Sequence, residues 1–395
     1  MQKKILFVGH DANRAGAQHL LLHLLTYLKG AGFQTGLVLV ENGPLLEEFE
    51  KVTTVFQVNR QKVYTKPKSS YQKVIRRIQS TYLTDEDPGS NKIELLNEIR
   101  SHHFDLIFSN TIANGATLKV LSALGLPFVC YVHELETSIR IYTKKEDLEY
   151  QIKNASLIIC GSTAVRDNLI SSHGLHEQKA SVLNSLIDTK SVLNALKKVS
   201  ETSVRSKLGI PENALVIGGC GNSEWRKGID IFILVAREVL KTNPTAHFIW
   251  VGISNNDFDF KNISHDIDKM GILQNIHLIP PCANYLDYVR IYDIFVLTSR
   301  EDPYPLVILE AGLNKIPVIC FAGSGGSPDF VGRETGCVVD YLDVAGMATV
   351  ILNLGADVSE MARLGEIFYK RANLHDVEIL VPKMLSLLSQ EVIQQ

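Results

Sequence analysis

The chain lacks the marks of several large protein classes. Its six cysteines, Cys130, Cys160, Cys220, Cys282, Cys320 and Cys337, form no C-x-x-C pair. Most sit in apolar runs or beside glycines, which excludes a disulfide framework and a zinc ribbon and suits reduced packing residues of a cytosolic protein. No His, Cys and carboxylate cluster has metal-ligand spacing. Neither sign of charge dominates: the formal net charge is −3, so a global nucleic-acid footprint is absent. A short strand-like run, Ile5 to Val8, follows Met1-Gln2-Lys3-Lys4. No long apolar segment comes after it, so neither a signal peptide nor a membrane span is expected. The dinucleotide fingerprint also fails. Gly219-x-Gly221 has Glu224 where G-x-G-x-x-G needs its third glycine, which weakens a dehydrogenase reading. Gly323-Ser324-Gly325 has the wrong spacing for the nucleophile elbow G-x-S-x-G.

What the chain has, over a length that fits two domains, is a repeated order of apolar run, polar turn and amphipathic segment. Ile5 to Val8 reads as a strand, and Gly9 to Ala17 as a loop. Gln18 to Lys29 reads as a helix with Leu21, Leu22, Leu24, Leu25 and Leu28 on a broad face, stopped by Gly30 and Gly32. Phe33 to Val40 is the next strand. Leu106-Ile107-Phe108, Pro127 to Val132, Leu157 to Cys160 and Ser181 to Ser185 continue the first half. The alternation restarts with strands at Ala214 to Gly219, His247 to Gly252, Ile276 to Ile279, Ile294 to Leu297, Pro317 to Phe321 and Gly336 to Val339. Helices are expected near Asp266 to Met270, from Leu286 to Tyr292, from Val344, near Ser359 to Lys370 and from Val377. Residues 1–190 and 191–374 then form two βαβ domains, and 375–395 form a terminal helix expected to pack back on the first. A cleft between two such domains is where a ligand is expected.

The most informative stretch is Ser299 to Gly312. It runs from a buried strand through a charged, proline-rich turn into a helix, the position where open α/β sheets bind ligands. A helix N-terminus there offers free N–H groups to a phosphate. Asp302 in the turn and Glu310 in the helix lie eight positions apart, so one segment can present two carboxylates to one ligand. The other reading is an acidic cap and a surface Glu.

Asp302 to Glu310 resembles the acidic-x7-acidic signature of the family 4 glycosyltransferases, usually Glu-Gly-Phe-Gly-Leu-x-x-x-Glu. Asp302 stands for the first Glu, and Pro303 and Pro305 for the glycines. Pro305 has no N–H to offer, but Leu306 and Val307 do. The turn after Gly219 resembles that family's Gly-Arg-x-x-x-Lys-Gly. Lys227 and Gly228 match; Asn222 replaces the Arg, and Arg226 can supply the second positive charge if its side chain points inward. Ala15-Gly16-Ala17-Gln18 stands where relatives have Gly-Gly-Ala-Glu, so Gly16 serves either a tight turn or close approach to a ligand. His133, delivered by the strand ending at Val132, is either a packed residue or the family's contact to the donor sugar. Asp257-Phe258-Asp259 resembles the D-x-D metal motif of the other large glycosyltransferase fold, without the rest of that fold's pattern, and reads as chance.

The resemblance implies a GT-B fold, two Rossmann-like βαβ domains facing each other across a cleft, and retaining transfer of a sugar, such as glucose, from a nucleotide sugar, most simply a UDP-sugar. It implies no metal and no cofactor. Lys227 and Arg226 would clamp the diphosphate, Glu310 the ribose hydroxyls, and Asp302, or Glu301 beside it, the sugar hydroxyls. The backbone near Pro281 and Cys282 would meet the base. Asn222, Tyr304 and the glycine run around Gly325 join the candidate donor site. The acceptor would be a glycan or lipid-linked saccharide of a bacterial surface or exopolysaccharide pathway. Arg60 to Arg77, strongly basic, is either a solvated face or a surface for anionic lipid at the inner face of the membrane. Two other classes stay open: a nucleotide-sugar epimerase of the same fold, and a non-catalytic sugar-nucleotide sensor.

Overall fold

A computed structural model describes residues 3–58 and 89–392. The basic stretch Arg60 to Arg77 lies outside the described residues. The chain divides into two compact units, the second running Asp188–Asp376. The first combines the residues before it with the C-terminal helix Val377–Val392.

The first unit holds seven strands: β1 (Ile5–Asp11), β2 (Thr35–Glu41), β3 (Thr54–Gln57), β4 (Leu106–Ser109), β5 (Phe128–Val132), β6 (Leu157–Cys160) and β7 (Ala180–Val182). They form one parallel sheet in the order β3-β2-β1-β4-β5-β6-β7. Strand residues alternate between faces, and both faces are covered. Ile5 and Phe7 of β1 join one core cluster, with Leu21, Leu24, Leu25 and Leu28 of the helix Gly16–Gly30. Leu6 and Val8 join another, with Leu95 and Ile99 of the helix Gly89–Ser101. Burial on both faces explains why these strands read as continuous apolar runs. The C-terminal helix completes the first face through Val377, Leu380, Val381, Met384 and Leu388.

The second unit holds β8 (Val216–Cys220), β9 (His247–Val251), β10 (Ile276–Ile279), β11 (Ile294–Leu297), β12 (Val318–Phe321) and β13 (Val338–Val339). These are parallel in the order β10-β9-β8-β11-β12-β13. Strand β8 carries Gly218 and Gly219 because large rings lie flat on it. A Cβ on Gly218 would come 2.0 Å from the Tyr292 ring, and one on Gly219 2.7 Å from Trp250.

The structure corrects several expectations. The first helix begins at Gly16, two residues early, and β3 with the short helix Leu46–Val52 before it had no clear signal. The helix expected from Leu286 to Tyr292 stops at Val289. The helix Gly89–Ser101 was not among the expected elements. The segment 257–259 is not a loop: Asp257 is the N-cap and Phe258 the first residue of a helix reaching Met270. Acidic residues suit that end of the helix dipole. Among the described residues no helix is long and apolar enough to cross a membrane.

Gly218→Ala should lower stability by about 1–3 kcal/mol, because Tyr292 must leave its place in a packed core. Gly16→Ala is the control, since no atom lies within 4 Å of a Cβ there. Urea denaturation of both variants checks this; equal midpoints would show that Tyr292 can move freely.

Candidate functional site

In the second sheet β8 lies beside β11, with Ile217 opposite Ile294 and Gly218 opposite Phe295. The chain winds outward in opposite directions from this pair, so their carboxyl ends form the topological switch point, where such sheets take ligands. Strand β8 leads into the turn 221–228 and β11 into the turn 298–305. The two turns are laced together. Thr298 Oγ1 donates to the Gly228 carbonyl at 2.9 Å. The Arg300 and Glu301 amides donate to the Arg226 carbonyl at 2.8 and 3.3 Å. Gly228 has φ +69°, and a Cβ on it would sit 2.0 Å from the Thr298 carbonyl oxygen, so a glycine is required there.

This lacing brings the charged side chains together. Lys227 Nζ donates to Asp302 Oδ2 at 2.5 Å. Arg226 Nη1 lies 3.9 Å from the same oxygen. Arg226 Nε also donates to Glu224 Oε2 at 2.7 Å, and Asn222 Nδ2 donates to Glu224 Oε1 at 2.9 Å. Asn222 is thus the first link of a chain that turns Arg226 toward Asp302. The Asp302 backbone is locked too: its N–H donates to the Ser324 carbonyl at 2.7 Å, and its carbonyl accepts from Gly326 at 3.1 Å. A parallel bridge pairs it with Gly325. Asp302 is 3 % exposed. Of the two candidate carboxylates, Asp302 and not Glu301 pairs with Lys227.

The helix Leu306–Leu313 starts after Pro305, whose φ of −72° lies in the range its ring allows. The first N–H groups of an α-helix have no intrahelical partner, so those of Leu306 and Val307 face the turn. Glu310 is buried in this helix. Tyr285 OH donates to its Oε1, while Oε2 has no hydrogen-bond partner. Burial pushes its carboxyl up to about 7, against a smaller lowering by the Tyr285 hydrogen bond. Burial also pushes the Cys220 thiol up to about 12, with Glu310 adding to the rise. Cys282 and Pro281 follow β10, and the Cys282 thiol bears electrostatically on Cys220. Tyr304 faces elsewhere: its hydroxyl is 2.7 Å from His375 Nε2 and its ring stacks on that imidazole. Its side chain belongs to the core of the unit.

Gly16 and His133 lie in the first unit, at the carboxyl ends of β1 and β5. Gly16 opens a helix with free space around it, so no protein contact there demands a glycine. His133 packs against Tyr131 with ring centroids 4.0 Å apart and ring planes tilted by 56°, and burial pushes it down to about 3. It is a neutral imidazole whose Nε2 is buried without a partner. Gln18 Oε1, Asn110 Oδ1 and Asn114 Oδ1 in the same unit are buried and unpartnered as well.

Sequence reasoning missed Tyr285, Glu224 and Ser324. Glu224 was noted only for not being a glycine. Nothing local marks Tyr285 as the partner of a residue 25 positions away. Among the described residues no group of three or more His, Cys, Asp or Glu could hold a metal ion. Asp257 accepts from the Ser254 amide at 2.8 Å, and Asp259 is hydrogen-bonded to Ser223.

The model for glycosyl transferases group 1 matches residues 200–371, and that for Glycosyltransferase Family 4 matches residues 14–191. A D-inositol 3-phosphate glycosyltransferase of Corynebacterium kroppenstedtii is 25% identical over 223 residues, 54% of this chain and 49% of that protein. The O-antigen biosynthesis glycosyltransferase WclY of Escherichia coli is 24% identical, covering 58% of this chain and 65% of that one. The chain thus spans about half to two thirds of the length of these curated relatives. The crystal structure of Anabaena Alr3699/HepE in complex with UDP and glucose has a TM-score of 0.78 at 19% identity, covering 98% of this chain and 100% of that one. That likeness shows the GT-B fold.

The folded chain favours protonated Glu310, since burial holds its carboxyl at about 7, above the ordinary glutamate value of 4.5. This contribution is fully present below pH 4.5 and is lost as pH rises through 7, a swing of about 3 kcal/mol at ~1.4 kcal/mol per unit. Glu310→Gln removes the titration. The variant should therefore gain on the wild type by about that amount between pH 4.5 and 8. Urea midpoints of the pair at both pH values check this, and a constant difference would mean that Glu310 is not a buried, unpaired carboxyl.

Proposed function

Because the chain belongs to the family 4, group 1 glycosyltransferases and has their GT-B fold, we propose that it moves a hexose such as glucose from a UDP-sugar to a glycan or lipid-linked acceptor. Transfer retains the anomeric configuration and serves a bacterial surface or exopolysaccharide pathway. The observation that carries the reading is the convergence of Lys227, Arg226 and Asp302 at the switch point of the second sheet.

Each group has a task there. Lys227 and Arg226 face the diphosphate with the N–H groups of Leu306 and Val307. The leaving nucleoside diphosphate gains negative charge in the transition state, so fixed positive groups lower the barrier. Asp302 holds the Lys227 ammonium. An arriving diphosphate competes for that ammonium and leaves the carboxylate to the sugar hydroxyls and to positive charge developing at the anomeric carbon. Glu310 takes the ribose hydroxyls on its unpartnered Oε2, and the segment at Pro281 and Cys282 borders the base. The leaving phosphate accepts the acceptor's proton, so no protein nucleophile is required. The Alr3699/HepE complex with UDP and glucose supports the choice of donor, and WclY supports a glycan acceptor.

UDP-glucose at a hundred times its Kd should stabilise the protein by ~2.7 kcal/mol, and its turnover should survive EDTA. Loss of turnover in EDTA that returns with Mg²⁺ or Mn²⁺ would overturn the metal-free reading. Conversion of donor alone into a new nucleotide sugar would favour the epimerase, and binding without hydrolysis or transfer the sensor.

Asp302→Asn should lower kcat by roughly 10²-fold, as for a removed electrostatic stabiliser, whereas Glu310→Gln should mainly raise the donor KM. Glu301→Gln should stay near wild type. If it abolishes kcat while Asp302→Asn does not, the first carboxylate role belongs to Glu301.

A further inference from the structure

The turn that carries Lys227 also carries an indole that the donor site does not use. Trp225 is 62 % exposed and begins the 3₁₀ turn Trp225–Lys227. Side chains advance by a third of a turn per residue in such a helix, so Trp225 and Lys227 point in different directions. Exposing a large aromatic forgoes a sizeable hydrophobic gain, yet this one is held in place. The Arg300 guanidinium lies 5.0 Å from its ring centroid. That guanidinium is pinned in turn, donating to the Trp225 carbonyl at 2.8 Å and to Asp230 Oδ1 and Oδ2 at 2.9 and 2.6 Å. A cation thus rests against the ring while most of the ring meets solvent.

We propose that Trp225, backed by Arg300, is a stacking subsite for a neutral pyranose ring of the acceptor glycan, outside the donor site. This rests on the glycosyltransferase reading above. A pyranose has an apolar C–H face to lay on the indole and hydroxyls around its edge to donate. Asp230 and Glu224, both partly exposed beside the turn, present carboxylates to such hydroxyls. Each of these carboxylates is paired with an arginine, Asp230 with Arg300 and Glu224 with Arg226, so the surroundings of the indole offer no net positive charge to an anionic membrane and favour a neutral sugar. The rigid ring loses little freedom on binding, which raises affinity without a deep pocket.

The chain has two tryptophans, and Trp250 is 2 % exposed, so acrylamide quenching of tryptophan fluorescence reads Trp225. With no donor present, maltopentaose, cellopentaose or chitopentaose should protect the fluorescence from acrylamide. By calorimetry Trp225→Ala should weaken binding of the protecting sugar about tenfold, as loss of a stacked ring does, and Trp225→Phe should restore part of it. Unaltered quenching with all three sugars would overturn the proposal, and so would protection by phosphatidylglycerol vesicles in their place. Equal affinity of wild type and Trp225→Ala would also sink it. The donor reading fails separately, through the absence of UDP-glucose stabilisation and turnover in the wild type.

Discussion

Lys227 and Asp302 are 75 residues apart in the chain, and their contact exists because β8 and β11 are neighbours in a parallel sheet. The rest of the second unit is arranged to keep that contact. Large rings lie on the glycines of β8, the Gly228 backbone makes room for Thr298, and the Asp302 amide and carbonyl are tied to the loop after β12. A largely buried ion pair is not a strong source of stability, because desolvating both charges offsets most of their attraction. Its value lies in position: a cation and an anion held on neighbouring turns at the switch point of the sheet.

The two carboxylates of the Asp302–Glu310 segment show how one spacing yields two environments. Asp302 has an ammonium within hydrogen-bond distance. Glu310 has a phenol hydroxyl on one oxygen and nothing on the other, so burial decides its titration. A carboxyl held near 7 by its surroundings is a mark of functional sites. The contrast arises because both carboxylates are buried but only Asp302 meets a cation, delivered by the turn after β8.

Much of the fold was legible because parallel strands covered on both faces must be apolar throughout, as Ile294 to Leu297 and Leu157 to Cys160 are. The spacing of Asp302 and Glu310 was legible because a loop and one turn of helix set it locally. What escaped detection depended on tertiary contact. Tyr285 reads as an ordinary loop tyrosine until the fold brings the short helix Leu286–Val289, which it caps, to Glu310. Tyr304 sits inside the motif, yet its ring turns away to His375, because a residue's place in a motif does not fix its rotamer. The strand β3 is four residues with one buried side chain, too little for a periodicity to show. Asp257 and Asp259 were legible as acidic but not as the start of a helix, since the run that follows them is mixed in polarity.

The departures from the family wording make joint physical sense. Asp302 is one methylene shorter than the usual Glu, which keeps its carboxylate close to a backbone locked by Ser324 and Gly326. The longer Lys227 side chain reaches it there. Asn222 cannot supply the charge of the Arg it replaces, but its amide and Glu224 steer the guanidinium of Arg226 toward the same carboxylate. Pro305 gives up an N–H where a glycine would have kept one. In exchange its fixed φ sets the entry into the helix, so the N–H groups of Leu306 and Val307 are oriented before a ligand arrives. Each substitution is answered by a neighbour, Arg226 and Lys227 on the turn after β8 and Leu306 at the start of the helix that follows the turn after β11.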